Sequence, residues 1–231
     1  MMHDQIKNAL LLTKHLFSAE GVMFYWVNEQ QQLANISEYI NVPDDFIERY
    51  HLEMQDHDPL NVKNFLKKKD LFNSLTHCRE TEQQQPTQVY ENFIHSYGIE
   101  ETFDILFWKN NHAYAGIGIT NPHLNAVSAE EMNALHQVLE ANFLQMDEIR
   151  QQIIWNYLEG FKLTYREKQV CMCLFEGFSN QQISEKMGIT VGTVKIYIYR
   201  ILDKMGVSCR LQVSKQMMQC LAHPHFNPLI T

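Results

Sequence analysis

The sequence predicts an α+β protein of two domains. An N-terminal α/β/α sandwich surrounds a mainly antiparallel sheet, and a C-terminal domain of four helices follows it. Three observations lead there. Up to about residue 155, strand-like β-branched and aromatic runs alternate with amphipathic helical stretches. Beyond residue 163 the segments are all helical and are cut by regularly placed glycines. Charge divides at the same point: residues 1–160 hold 10 Lys+Arg against 23 Asp+Glu, whereas residues 161–231 hold 9 against 4. The net −8 of the 231-residue chain therefore conceals an acidic body and a basic tail suited to phosphates.

Composition removes several classes. With 45% apolar and 20% charged residues the chain is not of the disordered type. No apolar run approaches the roughly 20 residues of a membrane span, and the opening MMHDQIKNAL has no secretory pattern, so a cytoplasmic protein without membrane contact is expected. The five cysteines form no C-x-x-C pair and are read as reduced, mostly buried small hydrophobes. His51, Glu53, Asp56, His57 and Asp58 scatter around a helix end, so no metal site is expected. No nucleophilic triad or phosphate loop is visible; the expectation is a protein that is not an enzyme and needs no cofactor.

In residues 5–17, Ile6, Leu10, Thr13 and Phe17 share one helical face. A strand at 22–27 and a second near 33–36 follow. Asp45 and Glu48 are spaced as a capping box, and another helix is expected from Asp58-Pro59 to Lys67-Lys68-Lys69. Residues 71–76 suit a third strand and 78–86 a polar loop. Tyr90, Phe93, Ile94 and Tyr97 give the next helix its buried face, ended by Gly98. Runs at 102–108 and 113–120 read as a hairpin, with Gly116 and Gly118 weakening its second strand or admitting close contacts. Ser128 and Glu131 open a helix expected to reach 155. A seven-residue spacing from Met132 through Leu139, Met146 and Ile153 suits either a partner helix or the protein's own sheet.

The tail carries four capping signals. Thr164 with Glu167 opens a helix ended by Gly177, and Ser179 with Gln182 opens one closed by Gly188. Thr190 caps a third that stops at Gly206, and Ser208 caps a fourth. Short helices joined by tight turns describe a helix-turn-helix framework. In the third helix Val194, Ile198, Ile201 and Met205 form a core stripe, opposite Gly192, Lys195, Ile196, Tyr199, Arg200 and Asp203. Apolar side chains set between cations suit a groove-reading face, where they can meet thymine methyls while Lys and Arg take guanine edges or phosphates.

Leu163-Thr164-Tyr165-Arg166-Glu167, Glu176-Gly177-Phe178-Ser179-Asn180-Gln181-Gln182-Ile183 and Gly188-Ile189-Thr190-Val191-Gly192-Thr193-Val194-Lys195 resemble the LuxR-type helix-turn-helix. Leu202-Asp203-Lys204-Met205-Gly206-Val207 and Arg210 extend the match over about fifty residues. The resemblance implies that Glu167 and Gly177 hold the fold. It implies that Lys195, Ile196 and Tyr199 face bases while Thr193, Arg200 and Lys204 steady phosphates. Tyr165 stands where the family usually has Pro, and Cys171 where it usually has Leu.

Phe46-Ile47-Glu48-Arg49-Tyr50, followed by Asp58-Pro59, resembles the autoinducer-binding domain of quorum-sensing LuxR-type regulators. That resemblance implies a pocket lined by Phe46 and Tyr50, with Asp58 accepting from a signal's amide. Phe72 and Phe103 complete the candidate ligand contacts. Phe46 replaces a usual Trp, Val42 a frequent pocket Tyr and Thr102 a usual Gly. Residue by residue, Asp58 equally suits a helix N-cap before Pro59, and Phe46 and Tyr50 equally suit plain core. The domains expected are 1–157 (sensory), 158–162 (linker) and 163–231 (DNA-binding). The partners expected are a pseudo-palindromic DNA site, a second copy of the chain and a small signal such as an acyl-homoserine lactone. The competing expectation is an N-terminal domain that binds no ligand and serves protein interaction or constitutive dimerisation.

Overall fold

The computed structural model describes residues 2–81 and 86–222. The chain divides into two compact units, one of residues 1–108 with 113–146, the other of 147–231 with 109–112. The division at 146/147 lies earlier than the domain end expected at 157.

In the first unit, helix α1 (Met2–Leu16) precedes strands β1 (Gly21–Asn28) and β2 (Leu33–Ile40). Ile6, Leu10, Thr13 and Phe17 are all essentially inaccessible to water, as the helical spacing requires. The five-stranded sheet has the order β2-β1-β5-β4-β3, with β3 at Phe72–Ser74, β4 at Thr102–Lys109 and β5 at His112–Thr120. β1 pairs antiparallel with β2 and β5, and β3 with β4. Asn110 and Asn111, at φ +52° and +66°, join β4 to β5 in the two-residue turn that matches strand twist.

Alternation along the strands separates the faces. On one face Phe24 and Phe107 pack on Phe143 of α6 (Ala129–Phe143), with centroids 5.5 and 5.0 Å apart. On the other, Met23 packs with Phe46 of α2 (Asp44–Arg49) and with Tyr90 and Phe93 of α5 (Gln88–His95). Tyr25 and Leu106 pack with Phe65 of α3 (Val62–Lys68) and with Cys78 of α4 (Leu75–Glu80). Helices on both faces of an antiparallel sheet make the expected sandwich.

Several local expectations need correction. Pro43, not Asp45, caps α2, because Asp44 and Asp45 instead accept from the hydroxyls of Tyr39 (2.7 Å) and Tyr97 (2.8 Å). Asn61 caps α3, its side chain accepting from the Asn64 amide, so the helix starts after Asp58-Pro59. The expected loop at 78–86 is helical through Glu80, since Leu75 and Cys78 find full burial; its residues 82–85 lie outside the described set. The helix expected to reach 155 stops at Phe143, and α7 (Asp147–Glu159) starts afresh. The seven-residue seam is therefore interrupted; Leu139 is buried and His136 turns toward the sheet, stacking on Phe107 at 4.8 Å.

The second unit adds α8 (Tyr165–Phe175), α9 (Asn180–Met187), α10 (Val191–Met205) and α11 (Arg210–Ala222) to α7. The capping boxes at Thr164/Glu167 and Ser179/Gln182 form as the sequence predicts, and Thr190 caps α10. Gly188 and Gly206 hold left-handed C-caps, the conformation that glycine adopts without strain. α11 begins at Arg210, with Ser208 donating to Gln212 rather than opening the helix directly. Cys78, Cys171, Cys173 and Cys220 are buried and Cys209 is exposed, and none of them is in a disulfide.

Candidate functional site

Helix α10 is built by its inner face. Val194, Ile201 and Met205 of α10 are buried, Ile198 is half-buried, and α8 and α9 lie alongside. Arg210 donates to the Phe178 carbonyl (2.5 Å) and Asn180 Oδ1 (3.3 Å), pinning the turn between α8 and α9. Glu167, almost wholly buried, completes the Thr164 capping box and accepts from Lys204 Nζ at 2.6 Å. Burial pushes the Glu167 carboxyl up, but the bonds from Lys204 and Thr164 outweigh it and hold the group below the usual glutamate range.

The outer face carries the chemistry. Ile196 is 54% and Tyr199 73% exposed, with Lys195 and Arg200 exposed beside them. Neither Lys195 nor Arg200 makes a hydrogen bond or ion pair among the described residues. Two free cations flanking an exposed aliphatic and a phenol can meet phosphates and base edges together. Thr193 lies at the start of the helix, its amide donating to Thr190 Oγ1 (3.1 Å) and its hydroxyl 2.9 Å from the same oxygen. Lys204 differs from expectation. Its ammonium is committed to Glu167 and the Lys162 carbonyl (3.3 Å), so it braces the fold instead of waiting for a phosphate.

In the first unit, α2, α3, α5 and the sheet line a cavity of about 30 Å³. Its polar lining is Tyr25, Tyr50, Asp58, Tyr90, Thr102, Asp104 and Thr120, with no Lys, Arg or His. Asp58 is 7% exposed; it accepts from the Tyr50 hydroxyl at Oδ2 (2.7 Å) and from the Leu60 amide at Oδ1 (2.8 Å). Asp104 Oδ2 accepts from the Tyr25 hydroxyl (2.7 Å). Gly116 makes that bond possible, because a Cβ there would stand 2.3 Å from the Tyr25 ring. Loss of water raises the Asp58 carboxyl despite the bonds from Tyr50, Leu60 and Tyr90. It raises Asp104 further, aided by the Asp58 charge. The three phenols are pushed well up by burial and by these carboxylates, so they remain donors.

Of the ligand contacts expected, Phe46, Tyr50 and Asp58 converge on this cavity. Asp58 forms a turn onto Leu60 rather than N-capping the following helix, which Asn61 does. Phe72 and Phe103 do not join them: they stack on each other at 6.1 Å on the opposite sheet face, Phe103 against Phe17 and Phe72 against His136. Strand alternation dictates this, since the neighbour that points into the cavity is Asp104. Sequence reasoning missed Tyr25, Tyr90, Thr102 and Asp104. The available signal was Asp104 itself, a carboxylate in the middle of the apolar run Phe103 to Trp108, where a polar group needs a purpose.

Residues 162–219 match the family model for bacterial regulatory proteins of the luxR family. The chain is 32% identical over 85 residues to the transcriptional regulatory protein DesR of Bacillus subtilis, covering 37% of this chain and 41% of that one. It is 41% identical over 59 residues to LiaR of the same organism, covering 26% and 28%. The chain thus spans less than half the length of these curated relatives. Among solved structures, Escherichia coli SdiA aligns with 98% of this chain and 93% of its own, at 13% identity and a TM-score of 0.47.

Proposed function

Starting from a LuxR-family helix-turn-helix domain at residues 162–219, we propose that the protein is a DNA-binding transcription regulator whose N-terminal unit senses a small molecule. The observation that carries the DNA reading is the outer face of α10, with Ile196 and Tyr199 exposed between the unpaired Lys195 and Arg200. Its function is recognition, without a catalytic step, in the cytoplasm where DNA is reached. Two copies, with reading helices about one DNA turn apart, would read a pseudo-palindrome. Lys195→Ala and Tyr199→Ala each weaken operator binding by roughly 10- to 100-fold, as loss of a contact of ~1–3 kcal/mol requires, while dimerisation is retained. Unchanged operator affinity and salt dependence in both variants would refute this assignment of the reading face.

The sensor reading rests on the enclosed polar groups of the cavity, centred on Asp58 and lined by Phe46 and Tyr50. The signal is a small amphipathic molecule, an acyl-homoserine lactone or another, and it acts by favouring the DNA-competent arrangement over others. Mass spectrometry of small molecules released from the purified protein tests this directly. One observation favours the second reading, an N-terminal unit for protein contact or constitutive dimerisation. The 30 Å³ of free space is far below the roughly 300–1,000 Å³ of ordinary ligand sites. Under that reading, lactones and cell extracts leave both thermal stability and operator affinity unchanged.

A further inference from the structure

We infer that the cavity between Asp58 and Asp104 takes the ammonium group of a small organic cation, an inference that rests on the sensor reading above and names the ligand's polar end. A cavity recognises what its own groups leave unsatisfied. Here the donors are already spent: the Tyr25 hydroxyl is given to Asp104 Oδ2 and the Tyr50 hydroxyl to Asp58 Oδ2. What remains is acceptor capacity. In its ionised form Asp104 keeps Oδ1 after Oδ2 has taken Tyr25, and Asp58 keeps acceptor capacity beyond the bonds from Tyr50, Leu60 and Tyr90.

Thr102 supplies an independent sign. It is 8% exposed and lines the cavity, yet its Oγ1 completes no hydrogen bond, although the Tyr90 hydroxyl faces both it and Asp58. A hydroxyl so placed normally has a partner. Asp104, Asp58 and Thr102 together offer acceptors to a group that brings donors, and an ammonium brings three.

Charge points the same way. Two carboxylates share a cation-free lining, and the Asp58 charge makes ionisation of Asp104 costlier. A single positive charge between them relieves both. Metal coordination lacks the donor set, since no cluster of three or more His, Cys, Asp or Glu gathers among the described residues. A neutral lactone brings two carbonyls and one amide donor to a cavity whose phenols are already engaged. Free space also permits it: about 30 Å³ exceeds the roughly 10–15 Å³ that one water-sized group needs, and an ammonium group is of that size.

The test uses the full chain. Its melting temperature is measured in n-butylammonium chloride, in n-butanol and in sodium chloride at matched concentration, and in N-hexanoyl homoserine lactone. The expected result is a rise of roughly 3 °C or more with the amine at about ten times its dissociation constant, absent with butanol and sodium. Asp104→Asn abolishes that rise. The inference is overturned if butanol or sodium matches the amine, if the amine gives no rise, or if Asp104→Asn keeps the full amine response. Should that variant fail to fold, the wild-type comparison of amine with butanol decides alone. A rise with the lactone and none with the amine overturns the cationic ligand and leaves the sensor reading standing. No rise with either overturns the cationic ligand too, and the released-molecule experiment then judges the sensor reading separately.

Discussion

The reading helix and the sheet cavity both break ordinary globular patterning, in opposite senses. On α10, apolar Ile196 and Tyr199 are turned out to water between cations that have no internal partner. In the cavity, Asp58 and Asp104 are turned in among aromatic rings, with phenols as their hydrogen-bond partners. An exposed misfit costs the fold little and awaits a partner of opposite character. An enclosed misfit costs stability continuously, so the scaffold must satisfy it by geometry. The first kind of site is therefore separable from folding, and the second is not.

This contrast can be broken most sharply at Gly116. Gly116→Ala drives a methyl into the Tyr25 ring, 2.3 Å away, and should cost about 3 kcal/mol, with Asp104 losing its donor. A denaturant melt with an unchanged midpoint would show that the ring is not held as described. Next comes Glu167→Ala, which removes the α8 capping box and the partner of Lys204. A loss of roughly 2 kcal/mol is expected, confined to the second unit's transition. Because the Glu167 carboxyl is depressed, its contribution is present above the ordinary glutamate pKa and is lost as pH falls through the depressed value. The variant should flatten that acid limb.

Asp104 titrates with the reverse sign. Its carboxyl is raised in the folded protein, so the folded state holds a proton that the unfolded state has released. Stability then falls as pH rises from the ordinary aspartate range through the raised value. Asp104→Asn should raise the melting temperature by roughly 2–4 °C at pH 8, the effect of about 1 kcal/mol in a chain of this size, and by less at pH 4. A lower melting temperature at pH 8 would mean that the Tyr25 bond outweighs the cost of the charge. The smallest effect is Ile196→Ala, which should change stability by less than ~0.5 kcal/mol while relaxing base preference in operator selection. If it destabilises more than that, the outer face of α10 is packed and not free.

How far each site could be read from the chain follows from the same contrast. The reading face lies within one helix, so stepping at 100° per residue from Val194 places Lys195, Ile196, Tyr199 and Arg200 together without tertiary knowledge. Lys204 escaped that logic because its partner, Glu167, comes from another helix. The cavity draws Tyr25, Tyr50, Asp58, Tyr90, Thr102 and Asp104 from strands and helices spread over 80 residues of chain. Local periodicity could fix which face of β4 Asp104 shares with Trp108. It could not say which face α2–α5 would cover, and Phe103 was expected on the wrong side for that reason. The break of the long helix near residue 144 was equally hidden, because the seven-residue spacing continues through Met146 while the backbone does not.

The tie from Glu167 to Lys204 has an evolutionary consequence. It holds the last turn of α10, while Thr190 holds the first and Val194, Ile201 and Met205 hold the inner side. None of these anchors belongs to the outward face. Substitutions at Lys195, Ile196, Tyr199 or Arg200 can therefore accumulate with little penalty in folding. Under the proposed function, such a protein would drift to a new operator by changing a few outward side chains, with its scaffold inherited intact.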